Sequence, residues 1–218
     1  MVSSVDLGRA LARFLGQNRS ALMRGHGSVV SGFSIRHAVF VAIQGGSALD
    51  VRLDALERLE DTVTRITLVH LTRSSLGSSS APLRADQGLT DHGKKYVEAL
   101  NARRVFVDLA HIGRRGFFDA VDVHDRNQPL IVTHTGVNGV RTSWRTLDDE
   151  QPGAVAATGG VVGVVYHGEY LGGRYFSGGR AADIVNHIEY IVQTVGPEVP
   201  ALGSDWDGSI ITPRDMPT

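Results

Sequence analysis

A parallel α/β architecture of about six βα units is expected from three features of the sequence. Apolar runs of strand length alternate with stretches of helical period. No apolar run approaches the roughly 18 residues of a membrane span. The length of 218 residues suffices for one hydrophobic core, so residues 1–218 are read as a single domain.

Taken in order, residues 1–35 have no decided form, and strands are predicted at 37–44, 65–70, 105–111, 130–134, 161–166 and 201–205. A helix is expected from Leu53 to about Thr62. Thr90 can cap a second helix carrying Tyr96, Val97 and Leu100, and a short irregular one is expected from Arg115 to Val121. Asp183 can cap a helix in which Ile184, Val185, Ile188, Ile191, Val192 and Val195 follow a 3.6-residue period. The Ser- and Gly-rich stretch 72–88 reads as an irregular loop after a strand, on the face of parallel α/β folds that carries chemistry. Six strands are fewer than a barrel's eight. Either two strands hide in residues 1–35, or the sheet is open, or the sequence is a piece of a longer barrel.

Charge narrows the choice of partner. Lys and Arg number 22 against 23 Asp and Glu, and aromatic residues make up only 6% without basic interleaving, which argues against nucleic acid and anionic membranes and for a small ligand. There is no cysteine, so a metal site would draw on His, Asp and Glu, and the nine histidines become the residues to place. The segment 172–179, GGRYFSGG, lacks the arrangement of a phosphate loop. The N-terminal stretch does not read as a secretory signal, and the default expectation is a cytoplasmic chain.

Several strands end in chemically capable side chains. Counting by alternation, Ile66, Leu68 and His70 form one row, Val107, Leu109 and His111 a second, and Leu130, Val132 and His134 a third. Phe40, Ala42 and Gln44 end in an amide, while Ala201, Gly203 and Asp205 end in a carboxylate. Convergence of these row ends at the C-terminal edge of a parallel sheet would form a site. The bland readings are strand-end histidines satisfied by packing, Asp205 and Asp207 as turn caps, and Arg145 as a surface ion-pair partner of Asp148 or Asp149. His187 reads as a packing residue, and His167 could line a pocket.

The ordered set VDLAH at 107–111, VTHTG at 132–136, RTSWRTLDDE at 141–150, NHIEYIVQTVGP at 186–197 and GSDWDG at 203–208 resembles the membrane dipeptidase family. With IQGG at 43–46 and LVHLT at 68–72, the similarity spans about residues 35 to 213. The resemblance implies a TIM-type (β/α) barrel of the metal-dependent hydrolase kind, with about six of its eight βα units present, that binds two Zn2+ ions and cleaves small L-dipeptides through a metal-bound hydroxide. It implies that His111 and His134 are metal ligands, that Gln44 stands where the family has a bridging Glu, and that Asp205 is the acid/base. His70 is implied to contact the scissile carbonyl of the substrate and to stabilise the oxyanion, and Arg145 to hold the substrate carboxylate. Two departures stand beside it: no His-x-Asp precedes residue 35, and an amide at Gln44 cannot offer two anionic oxygens. A fragment of a longer barrel would explain the first, and its open sheet edges would favour a homo-oligomer. The competing expectation is a non-catalytic or truncated barrel that binds small peptides or carboxylates through Arg145.

Overall fold

The computed structural model describes residues 13, 20–23, 27–30, 53, 56, 63–82, 85–172, 178–206 and 210–216, with the backbone alone at 20–23 and 27–30. The chain falls into two compact units, Met1–Ser47 and Ala48–Thr218. In the first, β1 (Ser20–Met23) and β2 (Gly27–Val30) pair antiparallel, with Ser20 opposite Val30. The expected strand at 37–44, and Gln44 with it, lies outside the described residues, as does the expected helix at 53–62 apart from Leu53 and Leu56.

The second unit is a parallel sheet with helices between its strands. β3 (Arg65–Thr67), β4 (Phe106–Asp108), β5 (Ile131–Val137), β7 (Val161–Val164) and β8 (Pro200–Leu202) lie side by side in that order, and the short β6 (Thr146–Leu147) pairs with β5. Every pairing is parallel, as the alternation of strand and helix requires. Val107, Val132 and Val162 are fully buried on neighbouring strands, each contributing roughly 1.5–3 kcal/mol of burial. Gly163 and Gly203 let the last strands close up: a Cβ at either would stand 2.1 or 2.0 Å from the Thr133 carbonyl oxygen.

The helices are α1 (Asp91–Ala102), α2 (Arg114–Val123), α3 (Glu150–Ala156), α4 (Gly168–Leu171) and α5 (Ala181–Val195). Thr90 caps α1 as expected, its hydroxyl accepting from Gly93 N at 3.0 Å, and Tyr96, Val97 and Leu100 are buried. α5 begins three residues earlier than the apolar period suggested. Its cap is Arg180, whose N–H donates to Asp183 Oδ2 at 2.7 Å, so Asp183 works from inside the first turn. α3 and α4 were not expected from the sequence. Pro152 and Gly153 weaken the helical signal of α3, but Pro is tolerated in a first turn, and burial of Val155 fixes the segment. No helix among the described residues is long and apolar enough to cross a membrane.

Two strands end differently from the alternation count. The β4 ladder stops at Asp108, whose Oδ1 accepts from Ala110 N at 3.0 Å and turns the chain, so that His111 adopts φ 66°. β5 runs on to Val137, with a register irregularity between Val132 and Thr135.

Candidate active site

These departures aim the side chains. Alternation alone would put His111 with Val107 and His134 with Val132, on the face opposite Asp108 and Thr133. The left-handed turn at His111 and the irregularity in β5 instead bring the two imidazoles together, Nε2 to Nε2 at 2.7 Å with the rings inclined at 66°. His70, just past β3, packs against His111 with ring centroids 4.3 Å apart and planes tilted by 57°. Asp205, past β8 and also left-handed at φ 56°, places Oδ2 4.0 Å from His134 Nε2. The row ends His70, His111, His134 and Asp205 converge as expected, aimed by the broken backbone rather than by strand parity, while Gln44 lies outside the described residues.

Arg145 completes the group. It is only 5% exposed, donates to the His134 carbonyl at 2.9 Å, and its own carbonyl accepts from Thr135 Oγ1 at 2.7 Å. The alternative of a surface ion pair with Asp148 or Asp149 is corrected: Arg114 bridges Asp148 and Glu150, and Asp149 accepts from the Tyr190 hydroxyl. Burial pushes the guanidinium below its ordinary pKa, while Tyr170, Asp205 and Asp108 act in the opposite sense. Burial first, and the Arg145 charge second, lower the pKa values of His70, His111 and His134. Neutral imidazoles with available lone pairs result.

The loop at 72–88 locks this edge of the sheet, Ser80 N donating to the His111 carbonyl at 2.8 Å. A cleft of about 220 Å³ opens beside it, lined by Leu109, His111, Val132, Trp144 and Arg145 among others. A larger one of about 740 Å³ shares Ser79, Ala81 and Trp144 with it and reaches Leu71 and Arg73.

Asp108 was missed in the sequence reading. It is fully buried and accepts five hydrogen bonds: from Ala110 N and Thr133 N on Oδ1, and from Arg65, the Thr67 hydroxyl and the Thr133 hydroxyl on Oδ2. The signal available was an acidic residue inside the apolar run VFVDLAH. His187 and His167 serve as hydrogen-bonding partners of the backbone. Buried His187 accepts from Val137 N and donates to the Leu171 carbonyl, and His167 accepts from Ile211 N.

The donor chemistry suits a zinc-like ion in part. Two converging neutral imidazoles supply two of four positions, and His111 Nδ1 is buried without a partner. Among the described residues no group of three His, Asp or Glu side chains is placed to hold a metal.

A family model described as membrane dipeptidase, peptidase family M19, matches residues 31–217. An uncharacterized protein from the pqqA 5' region of Klebsiella pneumoniae is 35% identical over 123 residues, 56% of this chain and 45% of that protein. An uncharacterized dipeptidase of Schizosaccharomyces pombe is 27% identical over 82% of this chain and 44% of its own length. Thus the chain spans about half the length of the curated relatives it matches. Among solved structures, a metallo peptidase from Rhodobacter sphaeroides, liganded with a phosphinate mimic of the dipeptide L-Ala-D-Ala, superposes with a TM-score of 0.67 and 26% identity over 76% of this chain and 48% of its own. With the parallel α/β sheet and the motif order both in agreement, the match over most of its length shows that this chain belongs to the membrane dipeptidase family, peptidase family M19.

Proposed function

We propose that this protein is a metal-dependent dipeptidase, hydrolysing the peptide bond of small dipeptides, with Zn2+ as the metal. The observation that carries the reading is the meeting of His111 and His134, Nε2 to Nε2 at 2.7 Å, beside a buried arginine and the Asp205 carboxylate. Family membership and the dipeptide mimic held by the Rhodobacter sphaeroides neighbour support the substrate class.

His111 and His134 would hold the ion through Nε2; by the family resemblance Gln44 stands at the sequence position of the bridging Glu. When bound, the ion supplies Lewis acidity and an acidified water. The remaining work belongs to the chain. Arg145 keeps one nitrogen on the His134 carbonyl and lines the cleft, and its remaining N–H groups receive the C-terminal carboxylate of the substrate. His70, held neutral, donates an N–H to the carbonyl oxygen as negative charge builds there. Asp205 takes the proton of the attacking water and passes it to the amine nitrogen as the C–N bond breaks.

The test is steady-state hydrolysis of an L,L-dipeptide by the protein before and after chelation, with Asp205→Asn alongside. Loss of activity on chelation, recovery with zinc, and a fall of about 10²–10⁴-fold in kcat for the variant are expected. Undiminished turnover in the stripped protein or in Asp205→Asn would defeat the assignment.

A further inference from the structure

Behind His134 lies a chain of polar contacts that the hydrolytic reading does not use. Arg65 enters at the start of β3 and donates to Asp108 Oδ2 at 3.1 Å. Asp108 Oδ2 also accepts from Thr133 Oγ1 at 2.7 Å, and Thr133 Oγ1 lies 2.9 Å from His134 Nδ1. All of these contacts are formed within the parallel sheet and its immediate strand ends.

A donor count fixes the proton positions along the chain. A carboxylate oxygen only accepts, and a threonine hydroxyl carries a single hydrogen. The Thr133 hydroxyl spends that hydrogen on Asp108, so toward His134 it can only accept. Nδ1 of His134 therefore carries the proton, and the Nε2 lone pair is left facing His111 Nε2. His111 has no such anchor. Its Nδ1 is buried without a partner, and what holds its ring is the left-handed backbone at φ 66°, the tilted ring contact with His70 and the Ser80 contact to its carbonyl. One of the two facing imidazoles is fixed in tautomer by the protein, and the other is free to adapt to what it meets.

We infer that Asp108 and Thr133 are positioning residues: the carboxylate, acting through the Thr133 hydroxyl, fixes His134 in the Nδ1–H tautomer and presents its Nε2 lone pair at the site. This deepens the dipeptidase reading, on which its link to the metal rests, while the tautomer itself can be read without any metal or substrate. A hydroxyl interposed between carboxylate and imidazole sets the proton without placing a full negative charge against the ring. It also explains why an acid is buried in an apolar strand: Asp108 fastens β3, β4 and β5 together and orients a functional side chain through the same oxygen.

The experiment uses the metal-free protein labelled with 15N at histidine, with the His134 signals assigned by their loss in His134→Asn. Long-range 1H–15N correlation at neutral pH is expected to give the pattern of protonated Nδ1 and bare Nε2 for His134. Thr133→Val, which keeps the shape and removes the hydroxyl, should turn this into a mixture of tautomers, and Thr133→Ser should restore the native pattern. Asp108→Asn should weaken the preference in the same direction. Zinc titration of the same proteins should show affinity falling about tenfold to a hundredfold in Thr133→Val and recovering in Thr133→Ser. A His134 pattern unchanged in Thr133→Val, or one with the proton on Nε2 in the parent protein, would overturn the inference. Failure of the parent protein to bind zinc at all would count against the dipeptidase reading alone, since the tautomer measurement stands without the metal.

Discussion

Arg145 and His134 are joined by a hydrogen bond, 2.9 Å long, from one guanidinium nitrogen of the buried arginine to the histidine's backbone carbonyl. It ties the only described guanidinium that is nine-tenths buried to the strand carrying a proposed metal ligand, so the distance from ligand to carboxylate-binding group is set by the backbone rather than by a flexible loop.

Arg145→Ala should therefore act mainly on substrates with a free C-terminal carboxylate. We expect a rise in KM of roughly tenfold or more for dipeptides, from loss of a charge-assisted contact of about 1.5–3 kcal/mol, and a much smaller change for dipeptide amides. Parallel steady-state profiles with the two substrate types measure it; equal effects on both would remove Arg145 from carboxylate recognition.

Stability of the metal-free protein should fall in mild acid. Burial and the Arg145 charge hold His111 and His134 below the ordinary histidine value of 6.5. Below that pH the unfolded chain takes up protons that the folded chain refuses, so stability is full above pH 6.5 and is lost progressively as the pH falls through it, by about 1.4 kcal/mol per pH unit for each such residue. Denaturant melts between pH 7 and roughly 5, a window above most carboxylate titrations, should show this slope, and His134→Asn should flatten it.

Gly163→Ala and Gly203→Ala test the close approach of β7 and β8 to Thr133. A Cβ within 2.1 Å of a backbone oxygen forces the strands to move, at a cost of about 1–3 kcal/mol. Because the oxygen struck belongs to the residue before His134, zinc affinity should fall along with the melting temperature. A lower melting temperature with unaltered affinity would separate the strand packing from the site.

Metal stoichiometry should be below two zinc ions per chain after dialysis, with both His111→Gln and His134→Gln abolishing what binds, because the described residues place only two nitrogen ligands together. Gln44→Glu should tighten binding by adding an anionic oxygen. Two firmly held ions in the parent protein, or no response to Gln44→Glu, would show that the amide is a working ligand or a bystander.

Local pattern was enough to place most of the described fold. The apolar runs at 105–111, 130–134 and 161–166 each contain a strand because β-branched residues fit a buried parallel sheet, and Thr90 caps α1 because a hydroxyl before a periodic segment satisfies a free N–H. The residue types that meet at the sheet's C-terminal edge were likewise legible, since imidazoles, a carboxylate and a guanidinium stood at or beyond strand ends in family order.

What tertiary structure alone decided is direction. Strand parity is a property of unbroken extended backbone, and it fails where the ladder stops at Asp108, shifts register between Val132 and Thr135, and turns left-handed at His111 and Asp205. Apart from the local bond of Ala110 N to Asp108, those events depend on which neighbouring strand and which buried carboxylate each backbone group meets, contacts separated by tens of residues in sequence. The burial of Arg145 and four of the five bonds to Asp108 have the same origin. A charge acquires its role from the donors that enclose it, and only the packed sheet brings those donors together.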